Sequence, residues 1–194
     1  MGVKIASSII FLGTGGDSYV VGKQLRASGG IILQINDDQY HIDPGPGALV
    51  MAKETGINLR ANTALFVTHN HLNHCNDINA VIDAMTYGGF DKKGVLVANN
   101  AVINGSENHQ PFLQKYYRDC LERFIVLEEG RKVGVNDVEI KAIRAKHSEL
   151  GAIGFKFITP DYTLAYTGDT IYSAETISEY ENSNVLVLNV PCLK

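Results

Sequence analysis

The sequence predicts a mixed α/β protein in which two β-sheets pack together and helices cover the outside. Short apolar runs recur along the whole chain, and many of them are rich in Val, Ile, Phe or Tyr and are bounded by turn residues. These runs are the predicted strands, at residues 5–12, 30–35, 39–42, 64–67, 94–98, 123–127, 138–142, 153–158, 163–166 and 185–190. Strands alternate with helices in the first half, whereas a β meander dominates the second half.

Four segments are predicted to be helices that connect these strands. The clearest signal is the stripe of Ile78, Val81, Ile82 and Met85, which fall at positions i, i+3, i+4 and i+7 and so share one helix face. The predicted helices lie at residues 47–55, 77–85, 109–121 and 174–179. We expect them to pack on the outer faces of the two sheets.

Composition limits the class of protein. With 194 residues and 45% hydrophobic content, the chain is expected to form a single domain, residues 1–194, with a substantial core. The net charge is −4 and the basic residues are scattered, so a small-molecule partner is expected and nucleic acid is not indicated. Three cysteines without a recognisable spacing predict reduced thiols in a cytoplasmic protein, and no stretch is long enough to span a membrane.

Three of the six histidines lie in one short segment, at positions His69, His71 and His74. Imidazole is the commonest protein ligand of transition metals, and three on one loop reduce the ordering cost of binding an ion. The apolar run 64–67 precedes them and a predicted helix follows, so they lie on a strand-to-helix turn, where α/β sheets tend to place their sites. The segment therefore predicts a metal site.

Two later segments supply further candidate ligands. His147 follows the predicted strand 138–142, and Asp169 comes directly after Gly168 at the end of another apolar run. Taken singly, each has an ordinary interpretation as a surface histidine or a turn aspartate. Together with the loop they provide four imidazoles and a carboxylate, the ligand set of a zinc, iron or manganese site that keeps open positions for chemistry.

At these residues the sequence resembles the metallo-β-lactamase-fold hydrolases, whose signature is His-x-His-x-Asp-His, a distant His, and then Gly-Asp at a strand end. Here the signature reads His69-Asn70-His71-Leu72-Asn73-His74, then His147, then Gly168-Asp169. Residues 11–16 and 147–155 are similar to the tRNase Z and phosphodiesterase branch, and residues 41–45 to the family's Ile-Asp-x-Gly. The match covers most of the chain in the expected order.

The resemblance implies a four-layer αββα sandwich with metal ions in the cleft at the sheet edges. By position, His69, His71 and His147 would hold a first ion, and Asp169 would bridge it to a second ion beside His74. The cofactor implied is zinc, as one or two ions, with manganese or iron as alternatives. A metal-bound hydroxide would attack a phosphodiester or related ester, and Asp43 would lie behind the ligands and orient an imidazole.

The chain departs from the family pattern in two places. The aspartate of the family's loop, which ligates the second metal and relays protons, is Asn73 here, and a neutral amide is a poorer ligand and no base. The family also has one more histidine beyond a further strand-and-helix unit, whereas this sequence ends at Lys194. Asp77 and His109 are the remaining candidates for the second position. We expect a well-formed first site and a weak or empty second one, with Asp169 and Asn73 at the catalytic positions.

The same departures keep three hypotheses open. The leading one is a metal-dependent hydrolase acting on a phosphodiester or similar ester. The second is a catalytically impaired metal-binding or ligand-binding module of the same fold, and the third is a mononuclear iron enzyme acting on thiols or persulfides. A sandwich that lacks its final strand–helix unit would expose sheet surface, so a homodimer is also expected.

Overall fold

The first sheet has six strands and carries the histidine loop. A computed structural model of the chain describes residues 7–189. The strands are β1 (Ser8–Gly13), β2 (Ser28–Ile35), β3 (Asp38–Ile42), β4 (Asn62–Val67), β5 (Val95–Ala98) and β6 (Arg123–Val126), in that spatial order. β2 runs antiparallel to both β1 and β3, and β3 to β6 run parallel. Since parallel strands need crossover connections, the helices of this half lie between them.

The second sheet has five strands and forms the other half of the sandwich. Its strands are β7 (Lys132–Val135), β8 (Val138–Arg144), β9 (Ile153–Ile158), β10 (Thr163–Asp169) and β11 (Val185–Asn189). The first four form an antiparallel meander, and β11 pairs with β10 in parallel. The predicted meander of the second half is therefore confirmed.

The helices are short. They are α1 (Ser18–Gly22), α2 (Ala48–Glu54), α3 (Leu72–Cys75), α4 (Ile78–Thr86), α5 (Asn100–Asn104), α6 (Lys115–Cys120) and α7 (Ala174–Tyr180), with a single 3₁₀ turn at Leu59–Ala61. Among residues 7–189, no helix combines the length and the apolar content that crossing a membrane requires.

Two hydrophobic cores hold the layers together. One core lies between the sheets and includes the aromatic rings of Tyr40, Phe66, Phe155 and Phe157. The other lies between the first sheet and its helices, and the predicted stripe of α4 is fully buried in it. Because α7 packs on β8 at the outer face of the second sheet, the layers follow the order helix, sheet, sheet, helix.

The predicted helices 47–55, 77–85 and 174–179 are confirmed, whereas α1, α3 and α5 were not predicted. The predicted helix 109–121 is helical only at Lys115–Cys120, because the chain around Pro111 forms a loop. β7 was not among the predicted strands, and Gly134, a residue type typical of turns, lies inside it. The start of predicted strand 5–12, the last residue of predicted strand 185–190, and Cys192 lie outside the described residues.

The strands that precede the candidate ligands end at one edge of the sandwich. β3, β4 and β5 run parallel, so Asp43, Thr68 and Asn99 follow their strands at the same edge. The second sheet meets this edge directly, since the Ile153 amide at the start of β9 donates to Thr68 O at 3.1 Å. The fold therefore brings loops of both sheets together at one place.

His41 is a fully buried histidine in the middle of the first sheet. Its Nε2 lies 2.7 Å from Gly29 O, and its Nδ1 is buried without a hydrogen-bond partner among the described residues. Burial lowers the pKa of His41 to about 4, although the Gly29 hydrogen bond and nearby carboxylates oppose the shift. The unfolded chain binds a proton at this residue near pH 6.5. Stability is therefore lost as the pH falls from about 6.5 towards 4, because the unfolded state binds more protons there.

We expect His41→Gln to reduce the stability lost between about pH 7.5 and about pH 4.5 by roughly 2 kcal/mol. Glutamine keeps a donor for Gly29 O but does not titrate. Urea unfolding in EDTA at both pH values measures the difference, with His109→Gln, an exposed histidine, as the control. Equal pH dependence in the wild-type protein and His41→Gln would show that His41 does not contribute to it.

Candidate metal centre

The candidate ligands come from three loops at the shared edge of the two sheets. His69 and His71 follow β4, and α3, which carries His74, begins directly after them. His147 lies between β8 and β9, and Asp169 is the last residue of β10. The ligands are thus attached to rigid strands on both sides of the sandwich, an arrangement that fixes their positions before anything binds.

Four of these side chains converge on one point. The ligand atoms of His69, His71, His147 and Asp169 all lie within 4.8 Å of one another. His147 Nε2 is 2.9 Å from His71 Nδ1 and 3.7 Å from Asp169 Oδ2. His69 Nε2 is 3.9 Å from the same carboxylate oxygen. Three nitrogens and one oxygen at this spacing match the donor types that zinc and related ions take in proteins.

The imidazoles of this cluster are held in their neutral form. Burial lowers the pKa of His69 far below its ordinary value, and the neighbouring histidines lower it further. Burial also lowers the pKa values of His71 and His147, although the carboxylate of Asp169 opposes the shift in both. Neutral imidazole is the form that donates a lone pair to a metal.

The innermost nitrogen of the cluster has no hydrogen-bond partner in residues 7–189. His69 is fully buried, and its Nε2 makes no hydrogen bond to any described residue. An unpaired buried polar atom costs about 1–3 kcal/mol, so native proteins seldom leave one without a reason. A metal ion among the four ligand atoms would occupy the lone pair of this nitrogen, and the residues present therefore fit such an ion.

The buried carboxylate of Asp43 organises the loop behind the ligands. Its Oδ1 accepts from the Thr68 amide at 2.8 Å, and its Oδ2 accepts from the Thr68 hydroxyl at 2.8 Å. The same Oδ2 lies 2.9 Å from His74 Nδ1 and accepts from the Tyr166 hydroxyl at 2.9 Å. Asp43 therefore fixes His74 directly, as a carboxylate behind a ligating histidine does.

Thr68 extends this control to His69. The Thr68 hydroxyl has one proton, which it gives to Asp43, so its oxygen can only accept from His69 Nδ1, 2.9 Å away. His69 then carries its proton on Nδ1 and presents the Nε2 lone pair to the cluster. The sequence analysis missed Thr68, although its position directly before His69 at a strand end was a signal that could have found it.

Two glycines allow the loops to approach one another. A Cβ on Gly45 would lie 2.0 Å from Asn73 O in the histidine loop. Gly168, directly before Asp169, has a φ of +59°, and a Cβ there would also press against Thr68 at 3.0 Å. Only glycine at these two positions lets the backbones pass this close to the histidine loop, which places Asp43 behind the ligands and Asp169 among them.

His74 sits between two carboxylates. Its Nδ1 faces Asp43, and its Nε2 lies 3.1 Å from Asp169 Oδ1 without the alignment of a hydrogen bond. Burial alone would lower the pKa of His74, but the two carboxylates outweigh it and raise the pKa to about 10. His74 is therefore protonated on both ring nitrogens near neutral pH, whereas the other three histidines are neutral.

Asn73 and Asn189 make contacts within the chain beside this histidine. Asn73 Nδ2 donates to Gly16 O at 3.1 Å, and Asn189 Nδ2 donates to Asp169 Oδ1. Together with His74, both amides line a cavity of about 140 Å³ against the glycine-rich turn after β1. Two of the groups expected to face a second ion, Asn73 and Asp169, thus already have partners, whereas His74 Nε2 makes no hydrogen bond to any described residue.

The two remaining candidates for the second position lie elsewhere. Asp77 Oδ2 accepts from the amides of Gly47 and Ala48, each at 2.9 Å, and so caps α2. His109 is exposed in the loop before α6, where Ser106 and His109 form an isolated bridge. Neither of the two belongs to the ligand cluster of the described residues.

A buried amide steadies the loop that carries His147. Asn99 Nδ2 donates to both carboxylate oxygens of Glu149, at 3.0 and 3.3 Å, and to Gly151 O at 3.0 Å. Asn99 Oδ1 meanwhile accepts from Val102 N and caps α5. The sequence analysis missed this contact, since nothing in the spacing connects residue 99 with residue 149.

Comparison with known proteins decides the family. Residues 39–194 match the model of the β-lactamase superfamily domain. The chain belongs to the β-lactamase superfamily. The matched range contains every candidate ligand described above.

Three relatives illustrate this membership of the β-lactamase superfamily. The uncharacterized protein MJ1374 of Methanocaldococcus jannaschii is 34% identical over 182 residues, covering 94% of this chain and 68% of that protein. Ribonuclease Z of Borreliella afzelii is 23% identical over 159 residues, covering 79% of this chain and 49% of the enzyme. The crystal structure of the metallo-β-lactamase-fold protein YhfI from Bacillus subtilis is 17% identical, with a TM-score of 0.72, covering 93% of this chain and 69% of that one. The fold is therefore the metallo-β-lactamase fold, and the chain spans about half of the ribonuclease Z that it matches.

We expect Thr68→Val to weaken zinc binding by about 10- to 100-fold, because valine removes the hydroxyl that joins Asp43 to His69. Thr68→Ser keeps that hydroxyl and should stay close to the wild-type affinity. Competition with a chromophoric chelator measures both. Equal affinities of Thr68→Val and Thr68→Ser would contradict the assigned relay.

Proposed function

We propose that this protein is a metal-dependent hydrolase that holds one ion at His69, His71, His147 and Asp169. The observation that carries the proposal is the convergence of four ligand atoms within 4.8 Å, one of them a buried nitrogen with no hydrogen bond to any described residue. Neutral nitrogens and a carboxylate oxygen suit zinc best, with manganese and iron as alternatives. When bound, such an ion lowers the pKa of a coordinated water and polarises the substrate's oxygen.

The exposure of the ligands indicates from which side a substrate approaches. His69 and Asp169 are buried, whereas His71 and His147 are partly exposed. The open side of the cluster is therefore formed by His71 and His147, where a substrate can enter. Asp169 Oδ2 faces the cluster, and Asp169 Oδ1 accepts a hydrogen bond from Asn189 Nδ2. The carboxylate is therefore held in one orientation.

A phosphodiester or similar ester is the proposed substrate class. The support is similarity, since the chain is related to ribonuclease Z, whose name states a nuclease activity, and shares the motifs of that branch. The net charge of −4 does not favour a long nucleic acid as the substrate. A small diester is therefore the form of substrate that we propose.

A second candidate function rests on the contacts of Asn73 and Asn189. Because both amides bond within the chain, the described residues offer the ligands of one ion only. Three histidines and one carboxylate at a single ion also suit iron, which would act on a thiol or persulfide. A binding module without catalytic activity is the remaining alternative.

Elemental analysis combined with a substrate screen separates these functions. We expect the purified protein to contain about one equivalent of zinc and to hydrolyse a generic phosphodiester in preference to a lactone or a β-lactam. One equivalent of iron with turnover of a persulfide would favour the second candidate. Metal without turnover of any of these substrates would favour the binding module.

We expect His69→Ala to lose the bound metal and the activity together, because His69 supplies the innermost nitrogen of the cluster. The matched control is His109→Ala, which removes an exposed imidazole outside the cluster and should retain both. Metal content by mass spectrometry is the measurement. Full occupancy in His69→Ala would mean that the ion binds elsewhere.

We also expect Asn73→Asp to raise the affinity for a second ion. A carboxylate cannot donate to Gly16 O as the amide does, so the side chain is released and adds the charge that the position lacks. Asn76→Asp, which adds the same charge on an exposed neighbour, is the control. Zinc titration of all three proteins is the test, and identical stoichiometry and affinity would count against this assignment of the second position.

A further inference from the structure

Tyr166 lies in the core between the sheets and reaches the metal centre through one atom. Its side chain is buried, and its hydroxyl donates to Asp43 Oδ2 at 2.9 Å across 123 positions of sequence. Burial and the negative charge of Asp43 raise the pKa of Tyr166 well above its ordinary value, so the hydroxyl keeps its proton. A neutral hydroxyl that donates to a carboxylate forms a charge-assisted hydrogen bond, stronger than one between neutral groups.

The Tyr166 hydroxyl reaches Asp43 from a different sheet than the other donors do. Thr68 and His74 both belong to the histidine loop after β4 of the first sheet, whereas Tyr166 belongs to β10 of the second. Among the described residues, Tyr166 supplies the one hydrogen bond that joins Asp43 to the opposite sheet. The same strand ends three residues later at Asp169, which completes the ligand cluster.

We propose that Tyr166 is a positioning residue, which anchors Asp43 and through it holds His69 in the orientation that metal binding needs. The inference rests on the proposed function, because it assumes that the cluster binds a metal. Tyr166 makes no hydrogen bond to any candidate ligand and acts only through Asp43. Asp43 in turn bonds His74 directly and His69 through Thr68.

Loss of the Tyr166 hydroxyl would affect Asp43 first, and then the histidine loop that Asp43 holds. Without it, Asp43 Oδ2 would keep two donors, both on the histidine loop, and nothing on the second sheet would fix the rotation of the carboxylate. A carboxylate that turns would weaken its bond to His74 Nδ1 and release the Thr68 proton towards His69. The His69 imidazole would then exchange between tautomers, and only the tautomer with its proton on Nδ1 presents the Nε2 lone pair to the cluster.

A purely structural role for Tyr166 is the alternative, and the chain offers a matched control for it. Tyr40 is also fully buried in the core between the sheets, and its hydroxyl donates to Val135 O at 3.3 Å and to Asp38 Oδ2 at 3.2 Å. It has no hydrogen bond to Asp43. Tyr40→Phe and Tyr166→Phe therefore remove the same group from the same core, and only the second variant changes the metal centre.

The test compares the wild-type protein, Tyr166→Phe and Tyr40→Phe in three measurements. Zinc affinity is determined by competition with a chromophoric chelator, and stability by urea unfolding in EDTA. Imidazole tautomers are read from long-range ¹⁵N–¹H spectra of the zinc-free protein at low temperature, where both variants are most folded. We expect Tyr166→Phe to bind zinc about 10-fold more weakly or worse, and to lose the single-tautomer Nδ1 and Nε2 signals of His69.

Tyr40→Phe should keep those signals and bind zinc within about twofold of the wild-type affinity, whatever stability it loses. The inference is overturned if Tyr166→Phe retains wild-type affinity and tautomers, or if both variants lose affinity equally in proportion to stability. A wild-type protein that binds no metal would refute the proposed function instead. The tautomer spectra of the metal-free proteins would then decide the role of Tyr166 by themselves.

Discussion

The metal centre depends on the hydrogen bonds that the buried carboxylate of Asp43 accepts. A carboxylate is costly to bury unless its oxygens are well bonded, and here four donor groups from both sheets surround it. The backbone of Asp43 has a φ of +49°, a left-handed conformation that a non-glycine residue adopts at some cost. The same contacts that stabilise the charge hold this conformation, so the loop behind the ligands is organised before any ion arrives.

The sheet-to-sheet core gives this arrangement its rigidity. Phe66 of β4 packs edge-on against Phe155 and Phe157 of the opposite sheet, with ring centroids 5.3 and 5.1 Å apart. Two residues after Phe66 comes Thr68, which bonds both Asp43 and His69. A displacement of the histidine loop would therefore disturb interlocked aromatic rings, and close-packed interiors resist such changes. Packing in the core thus keeps His69 in place at the shared edge of the two sheets, although its Nε2 makes no hydrogen bond to any described residue.

The sequence predicts the parts of this protein whose signals are local. Alternating apolar runs locate most strands, and the spacing of Ile78, Val81, Ile82 and Met85 locates α4. Helices as short as Leu72–Cys75 and Asn100–Asn104 escape detection, because four or five residues do not establish a period. The histidine motif and its resemblance to a family bring the candidate ligands together in order. The partners of Asp43 need a side-chain direction that spacing cannot supply, which is why Tyr166 was missed.

At the second position, Asn73 and Asp169 already make hydrogen bonds that an incoming ion would have to displace. An ion beside His74 would compete with Asn189 for Asp169 Oδ1 and would gain nothing from the amide of Asn73, which bonds Gly16 O. Asparagine differs from aspartate here in two respects, since it adds a donor that fixes the glycine-rich turn and removes a charge that would attract the ion. At the first position an ion would displace the hydrogen bond between His71 Nδ1 and His147 Nε2, but the Nε2 of His69 makes no hydrogen bond to any described residue. The Nε2 of His74 also lacks a hydrogen bond, but the two carboxylates beside His74 favour its protonated form, whereas neutral His69 offers a lone pair. Preference for the first position therefore follows from which buried nitrogen keeps a lone pair free.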